Sequence, residues 1–361
     1  MKQFEHRIAP SLIIAFPAVC RPHIFKDESA PVFDRRKKDH PLSVTLPDPS
    51  LSGVNTAPSG SGSAPELFVT RLIERLSGRR LETCDDDLAI EEPLEIQIVS
   101  GAMDARETKT ISITMRTPGH DRELAAGFLA GEGLLRSLAQ LESVAARGPR
   151  FGPRELQNSV QVVVRPGVSL DLKRLERNCY TTSSCGVCGK TSMEALKLNF
   201  FPKVPPSGWQ VDEHIIRTLP DRLREAQDVF QHTGGLHAAG LFTPEGEAIV
   251  IREDVGRHNA VDKVIGTQFL GGHYPLPEAI LVVSGRASFE LMQKALAAGI
   301  PMLVAVGAPS SLAVEVAERF GATLIGFTKP GGFNIYAGRE RVRLETAPSL
   351  YKSRSAHSSA A

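Results

Sequence analysis

No long apolar stretch marks a membrane span: the hydrophobic run within MKQFEHRIAPSLIIAFPAVC is far shorter than the roughly 18 residues a crossing helix needs. The same stretch lacks the marks of an export signal. Glu5 stands in its charged region, Pro17 follows the run, and no small-x-small cleavage site is present. Val19 before Cys20 also departs from a lipoprotein site, which wants a small residue there. An excess of one charge sign is missing too: the formal net charge is +1, so no global field recruits nucleic acid or an anionic membrane. An anionic ligand therefore needs a local site. Cysteine is scarce, at five in 361 residues, which is too few for a disulfide scaffold and leaves one unpaired. A cytoplasmic, reducing compartment is the expectation.

The chain exceeds the roughly 250 to 300 residues at which cores split, so one body with two lobes is expected. Residues 1–65 are Pro, Ser and Gly-rich (RRKKDH, PLSVTLPDPS, APSGSGSAPE) and read as a disordered extension. A β-rich lobe is expected over 66–177, with strands near Leu88–Gly101, Thr108–Arg116 (Ile111, Ile113 and Met115 at period two) and in SVQVVVRP. Between them, Pro118, Gly119 and Asp121 start a helix with Leu124 and Phe128 on one face. A mobile cysteine loop follows over 178–190, then an α/β lobe over 191–345 and a flexible tail over 346–361. Helical text covers Thr191–Leu198 and Val211–Phe230, the latter interrupted by Pro220. LHAAGLF and EAIVIRED read as paired strands, and NAVDKVIGTQF as a helix with Val261, Val264, Ile265 and Phe269 inward. AILVVSG, SFELMQKALAAG, MLVAVG, SLAVEVAERFG and TLIGFT then alternate strand and helix, the mark of parallel strands covered on both faces. Ligands of such sheets bind beyond the carboxyl ends of the strands.

Three of the five cysteines fall in NCYTTSSCGVCGK, Asn178 to Lys190. A structural zinc site needs four ligands, and no second C-x-x-C or C-x-x-H is present, although Cys179 and a distant histidine would complete one. A thioredoxin-like centre shares the spacing but belongs at the end of an early strand in a βαβ unit. A nucleophilic thiol fits as well: Gly186 and Gly189 allow close approach, and Gly189-Lys190 leads into a helix whose N-terminus favours a thiolate. Such a thiol takes up sulfur as a persulfide by the displacement chemistry of disulfide exchange. Cys84 precedes Asp85-Asp86-Asp87, where like charge disfavours a thiolate, and Cys179 reads as a small buried residue.

ELAAGFLAGEGLL, SSCGVCGK, FQHTGGLHAAGLF, EDVGRHNAVDKVIG, SGRASFELMQKALAAGIPMLVAVGAPSSLAVEVA and LIGFTKPGGFNIYAG, in that order, resemble the FdhD family of sulfur-carrier proteins for formate dehydrogenase, over about residues 80–340. The resemblance implies a cytidine-deaminase-like α/β/α second lobe beside the β-rich first lobe. It implies sulfurtransferase activity: sulfur from a cysteine desulfurase passes through a persulfide on Cys185, with Cys188 as companion, to the molybdenum bis-guanine-dinucleotide cofactor. Partners would be the desulfurase, the formate dehydrogenase catalytic subunit, guanine nucleotides as cofactor fragments, and a second copy in a homodimer. A cofactor-binding chaperone that donates no sulfur is the competing reading. His237-Ala238-Ala239 lacks the glutamate of the deaminase zinc signature, and the C-x-x-C lies upstream of it, so no catalytic zinc is expected.

Several residues are candidates for holding the cofactor. His237 follows a glycine pair that offers backbone N–H groups or merely turns the chain. Arg257 and His258 lie where a strand gives way to a helix; Asp254 either joins this site or pairs with Arg257, and Asn259 either joins it or caps the helix. Ser284-Gly285-Arg286 brings an arginine to a helix N-terminus. Phe327-Thr328-Lys329-Pro330-Gly331-Gly332 offers a ring face, a cation and close backbone approach after the last core strand.

Overall fold

The computed structural model describes residues 66–150, 152, 154–172, 203–205 and 208–345. The 1–65 extension, the cysteine loop, the Thr191–Leu198 segment and the tail lie outside the described residues.

Strands β1 (Phe68–Ser77) and β2 (Arg80–Ala89) pair antiparallel across Gly78, whose φ of 63° suits a two-residue hairpin turn. The pattern reading gave no strand before Leu88, because RLIERL and its neighbours are helix-forming side chains; cross-strand pairing overrides that local preference. The run expected from Leu88 to Gly101 is also divided, with β2 ending at Ala89 and β3 covering Glu92–Ala102.

A four-stranded sheet follows in the order β4-β3-β6-β5, with β4 at Ala105–Arg116, β5 at Leu141–Arg147 and β6 at Ser159–Val164. Strand β6 lies parallel to β3 in the sheet's interior. The period-two run in β4 does not face one way. Ile113 and Met115 are exposed, whereas Ile111 is buried, because a register shift between Ile96 and Gln97 leaves Ile111 as the extra residue and turns it inward.

Helix α1 (Asp121–Gly131) connects this sheet to the second half of the chain. There α2 (Glu213–Glu225) continues through Pro220 and is followed by its C-cap, Ala226. The short α3 (Asp228–Thr233) follows, its first turn held by Glu253, whose carboxylate accepts from the N–H groups of Val229 (2.9 Å) and Phe230 (2.8 Å). A six-stranded sheet is ordered β13-β12-β11-β10-β8-β9, comprising β8 (His237–Phe242), β9 (Ala248–Asp254), β10 (Ile280–Val283), β11 (Met302–Ala305), β12 (Thr323–Lys329) and β13 (Gly332–Ala337). Strands β10, β11 and β12 are parallel, and β8 and β13 run against them. Helices α4 (Arg257–Leu270), α5 (Phe289–Ala297) and α6 (Ser311–Phe320) follow β9, β10 and β11. A two-residue strand β7 (Val211–Asp212) pairs with β14 (Val342–Arg343).

The pleat of the six-stranded sheet divides its side chains between two cores. Leu281, Val283, Leu303 and Ala305 join α1, α4, α5, α6 and the four-stranded sheet on one side. Ile280, Val282, Met302 and Val304 join α2 on the other. A fully buried side chain of this kind contributes about 1.5–3 kcal/mol. The first core runs without a break from Leu94 in β3 to Ala337 in β13. Its closest contact is backbone on backbone: a Cβ on Gly127 of α1 would stand 1.8 Å from the Asp262 carbonyl oxygen, and one on Gly266 of α4 would stand 1.8 Å from that of Glu123. The glycine in ELAAGFLAGEG is thereby explained by helix crossing.

Candidate functional site

Because β9, β10, β11 and β12 point the same way, the starts of α4, α5 and α6 emerge at one sheet edge. Helix N-termini carry unsatisfied N–H groups and partial positive charge. Ser310 caps α6 by accepting from the Ala313 N–H at 3.2 Å, whereas neither Gly256 before α4 nor Ser288 before α5 makes a side-chain cap.

Beyond the strand ends the backbone continues as rungs. The Gly307 N–H donates to the Gly285 carbonyl (2.9 Å), and the Phe327 N–H donates to the Gly307 carbonyl (3.1 Å). At Gly307 a Cβ would approach the Gly285 oxygen to 3.0 Å and the Arg286 nitrogen to 3.1 Å, so this close approach needs glycine. The units β10-α5 and β11-α6 share their spacing, Gly285 corresponding to Gly307, Ser288 to Ser310 and Gly299 to Gly321, with Ala287 and Pro309 bridged. That repeat in the sequence was the available signal for Gly307.

His237 begins β8 beside these rungs. The Ala238 N–H donates to Ser284 Oγ (2.9 Å), the Ser284 N–H returns to the Ala238 carbonyl (3.0 Å), and a Cβ on Gly285 would lie 3.5 Å from His237 Nδ1. Ser284 therefore positions the β8 start. Burial, then the neighbouring Arg257 guanidinium, lowers the His237 pKa. At the start of α4, His258 is pushed down to about 4 by burial, then by the charges of Lys294 and Arg257, with Glu290 opposing. Its Nε2 is buried and has no hydrogen-bond partner among the described residues. Both imidazoles are neutral at pH 7. With Arg257 and the exposed Arg286 they make a cluster of two cations and two neutral imidazoles. Glu290, which sequence reasoning did not single out, supplies the cluster's counter-charge.

The expected turn at 327–332 divides into two parts. Phe327 and Thr328 belong to β12, Lys329 pairs with Gly332, and Pro330-Gly331 makes the hairpin turn to β13. Phe327 holds a φ of 54° and is 50% exposed, next to the Gly307 rung. A non-glycine residue in that region costs about 1–3 kcal/mol, so surrounding structure must enforce it. Thr328 is buried, and its hydroxyl has no partner among the described residues. Cys185 and Cys188 lie outside the described residues.

The segment EDVGRHN divides its residues between two jobs. Asp254 does not pair with Arg257. It is fully buried, lies 2.7 Å from Lys263 Nζ, and accepts from the N–H groups of Gly256 (2.8 Å) and Thr117 (3.2 Å) and from Asn259 Nδ2 (3.0 Å). Asn259 is no cap: its Nδ2 donates to the Met115 carbonyl at 2.7 Å. Lys263 donates to the Thr117 carbonyl at 2.9 Å. Asp254, Asn259 and Lys263 therefore tie the end of β4 to the second half of the chain, while Arg257 and His258 face the edge cluster.

Fold and edge together define an α/β protein built on a mixed six-stranded sheet, four of whose strands turn their carboxyl ends to one edge, the kind of place where ligands of such sheets bind. The chain belongs to the FdhD/NarQ family, whose model matches residues 89–343. It is similar to the Sulfur carrier protein FdhD of Streptomyces avermitilis, with 48% identity over 77% of this chain and 96% of that protein. The protein of the same name from Mycobacterium tuberculosis is 45% identical over 75% of this chain and 97% of its own length. That from Sulfurisphaera tokodaii is 42% identical over 72% and 92%. A crystal structure described as a formate dehydrogenase accessory protein, from Desulfotalea psychrophila, shares the fold with a TM-score of 0.57 and 23% identity, covering 77% of this chain and 100% of that one.

Proposed function

We propose that this chain carries sulfur for formate dehydrogenase. The observation that carries the reading is that relatives 42–48% identical to it bear the name sulfur carrier protein, and the family match at 89–343 includes Cys185-Gly186-Val187-Cys188. In this reading the Cys185 thiolate attacks the outer sulfur of a persulfide on a cysteine desulfurase. The new S–S bond forms on Cys185 as the donor cysteine leaves as a thiolate, so the exchange is redox-neutral. Cys188 assists release. The substrate that receives the sulfur is the molybdenum bis-guanine-dinucleotide cofactor, and the protein acts in the cytoplasm as a homodimer. The second lobe serves as a deaminase-like layer turned to binding.

The carboxyl edge supports this reading because a bis-dinucleotide is anionic and aromatic. The unpartnered His258 Nε2, the Arg257 and Arg286 guanidiniums and the uncapped starts of α4 and α5 suit its phosphates, and the exposed Phe327 ring suits a guanine or pterin. Lys329 adds a cation near the same strand end.

Intact-mass analysis after incubation with a cysteine desulfurase and cysteine tests the carrier step. A reductant-removable gain of about 32 Da, one sulfur atom, is expected in the wild type, is absent in Cys185→Ala and is reduced less in Cys188→Ala. Loading that persists in Cys185→Ala would defeat the assignment; binding of cofactor without any loading would favour a chaperone. Calorimetry with guanosine diphosphate tests the edge separately: weak binding in the wild type should be lost in Lys329→Glu. Binding unchanged by that substitution moves the site elsewhere.

A further inference from the structure

On the face of the six-stranded sheet away from β3, an open groove of about 510 Å³ lies between α2 and β13. Phe333 and Ile335 form its floor; both are half-buried and pack against the second core. Leu344, just past β14, lines it as well and is 41% exposed. Its wall on α2 is Glu213 and Arg217, which pair with each other at 3.2 Å. At Gly332 the groove is open, since a Cβ there would meet nothing within 4 Å. Among the described residues β13 is the last strand of its sheet, with β12 on one side only. An unpaired strand edge is a template for another extended segment. With an apolar floor, and with the charges on its wall already paired, the groove suits an apolar side chain on an extended backbone better than it suits an anion.

The described chain stops at Glu345, one residue beyond Leu344, so residues 346–361 start at this groove. Between Thr346 and Ala361 the only large apolar side chains are the adjacent Leu350 and Tyr351. Lys352 and Arg354 follow them, and no aspartate or glutamate is present. We propose that the groove is the docking site of this chain's own tail, with Leu350 laid on Phe333 and Ile335 beside the free edge of β13. The reach is sufficient. At about 3.3 Å per residue the chain from Glu345 to Leu350 spans roughly 16 Å, against roughly 7 Å from Phe333 to Ile335 along the strand. Thr346-Ala347-Pro348-Ser349 is a connection of ordinary length for a chain that turns back. Charge does not oppose the contact, because the Glu213–Arg217 pair presents no net positive charge to a basic tail. Docking covers the edge of β13 against pairing with other chains and steadies the hairpin of β12 and β13. The family match ends at residue 343, so the docked segment lies beyond it, and the contact does not rest on the sulfur-carrier reading.

Photocrosslinking of the full chain, with p-benzoylphenylalanine in place of Tyr351, tests the placement. Digestion and mass spectrometry should find a link within one chain, to peptides that hold residues 332–335 or 213–217. Leu350→Met should keep the link and Leu350→Asp should remove it. Hydrogen exchange of the otherwise unaltered full chain gives a second readout: in Leu350→Asp the amides of β13 should exchange at least about tenfold faster, while those of β8 to β10 keep their rates. A link that joins two copies, a link that lands elsewhere in the chain, or no link at all would overturn the proposal. So would β13 exchange that is the same in Leu350→Asp, or that rises together with β8 to β10.

Discussion

His258 sets the pH behaviour expected of the edge. Its folded pKa of about 4 lies below the ordinary 6.5, so as pH falls the unfolded chain takes the proton first. Its burial therefore costs nothing above pH 6.5 and lowers stability progressively from about 6.5 toward 4, by up to roughly 3 kcal/mol. Urea midpoints against pH should fall less steeply in His258→Gln than in the wild type over that window; parallel curves would contradict the burial argument. Lys294 makes a second case behind the site. Burial disfavours its charge, yet Asp262 at 2.8 Å and Glu132 at 3.1 Å outweigh this and raise its pKa. Lys294→Met leaves Asp262 buried without its cation, and a loss of about 3–5 kcal/mol is expected, read from chemical denaturation. These roles were only half legible in the sequence. A strand end crowded with Asp, Arg, His and Asn announces polar work, but which members face the ligand and which tie the framework depends on helix phase and on Met115 and Thr117, distant in the chain.

The elements that repeat a simple pattern were the readable ones. The hairpin β8–β9, the inward positions Val261, Val264, Ile265 and Phe269 of α4, and the run of strands β10 to β12 follow from periodicity alone. What periodicity missed has a local cause in each case: the ribbon β1–β2 is held by pairing against helix-forming side chains, and Ile111 is turned by a bulge that no alternation encodes. The α1–α4 crossing is of the same kind, since a glycine in a helix reads as a weakness until its neighbour is known. Gly127→Ala, which would gain helix propensity in an isolated helix, should instead destabilise by more than about 3 kcal/mol, because its Cβ meets backbone that cannot rotate away. Gly266→Ala should behave alike. A thermal melt unchanged or raised in either variant would show the helices free to part.

At the scale of the molecule, two sheets that differ in topology share one core, from Leu94 and Ile96 in β3 through α1 and α4 to Leu281 and Leu303. Length alone favoured two lobes, and the sheets do segregate along the sequence, but the helices between them bury their faces against both. The buried Asp254–Lys263 pair adds a polar tie at the same junction. Shared burial predicts shared unfolding. The chain's single tryptophan gives a local reporter, for Trp209 packs against the second core, on the side of the six-stranded sheet away from β3, and donates from its indole nitrogen to the Pro277 carbonyl at 3.3 Å. Ile96→Ala removes buried volume from β3 and should cost about 2–5 kcal/mol. If the two sheets unfold as one unit, Trp209 fluorescence should report the full loss, its denaturation midpoint shifting together with that of far-ultraviolet circular dichroism. A Trp209 transition left in place while the dichroism signal moves would mean that β3–β6 melts independently, and that the common core does not couple the halves.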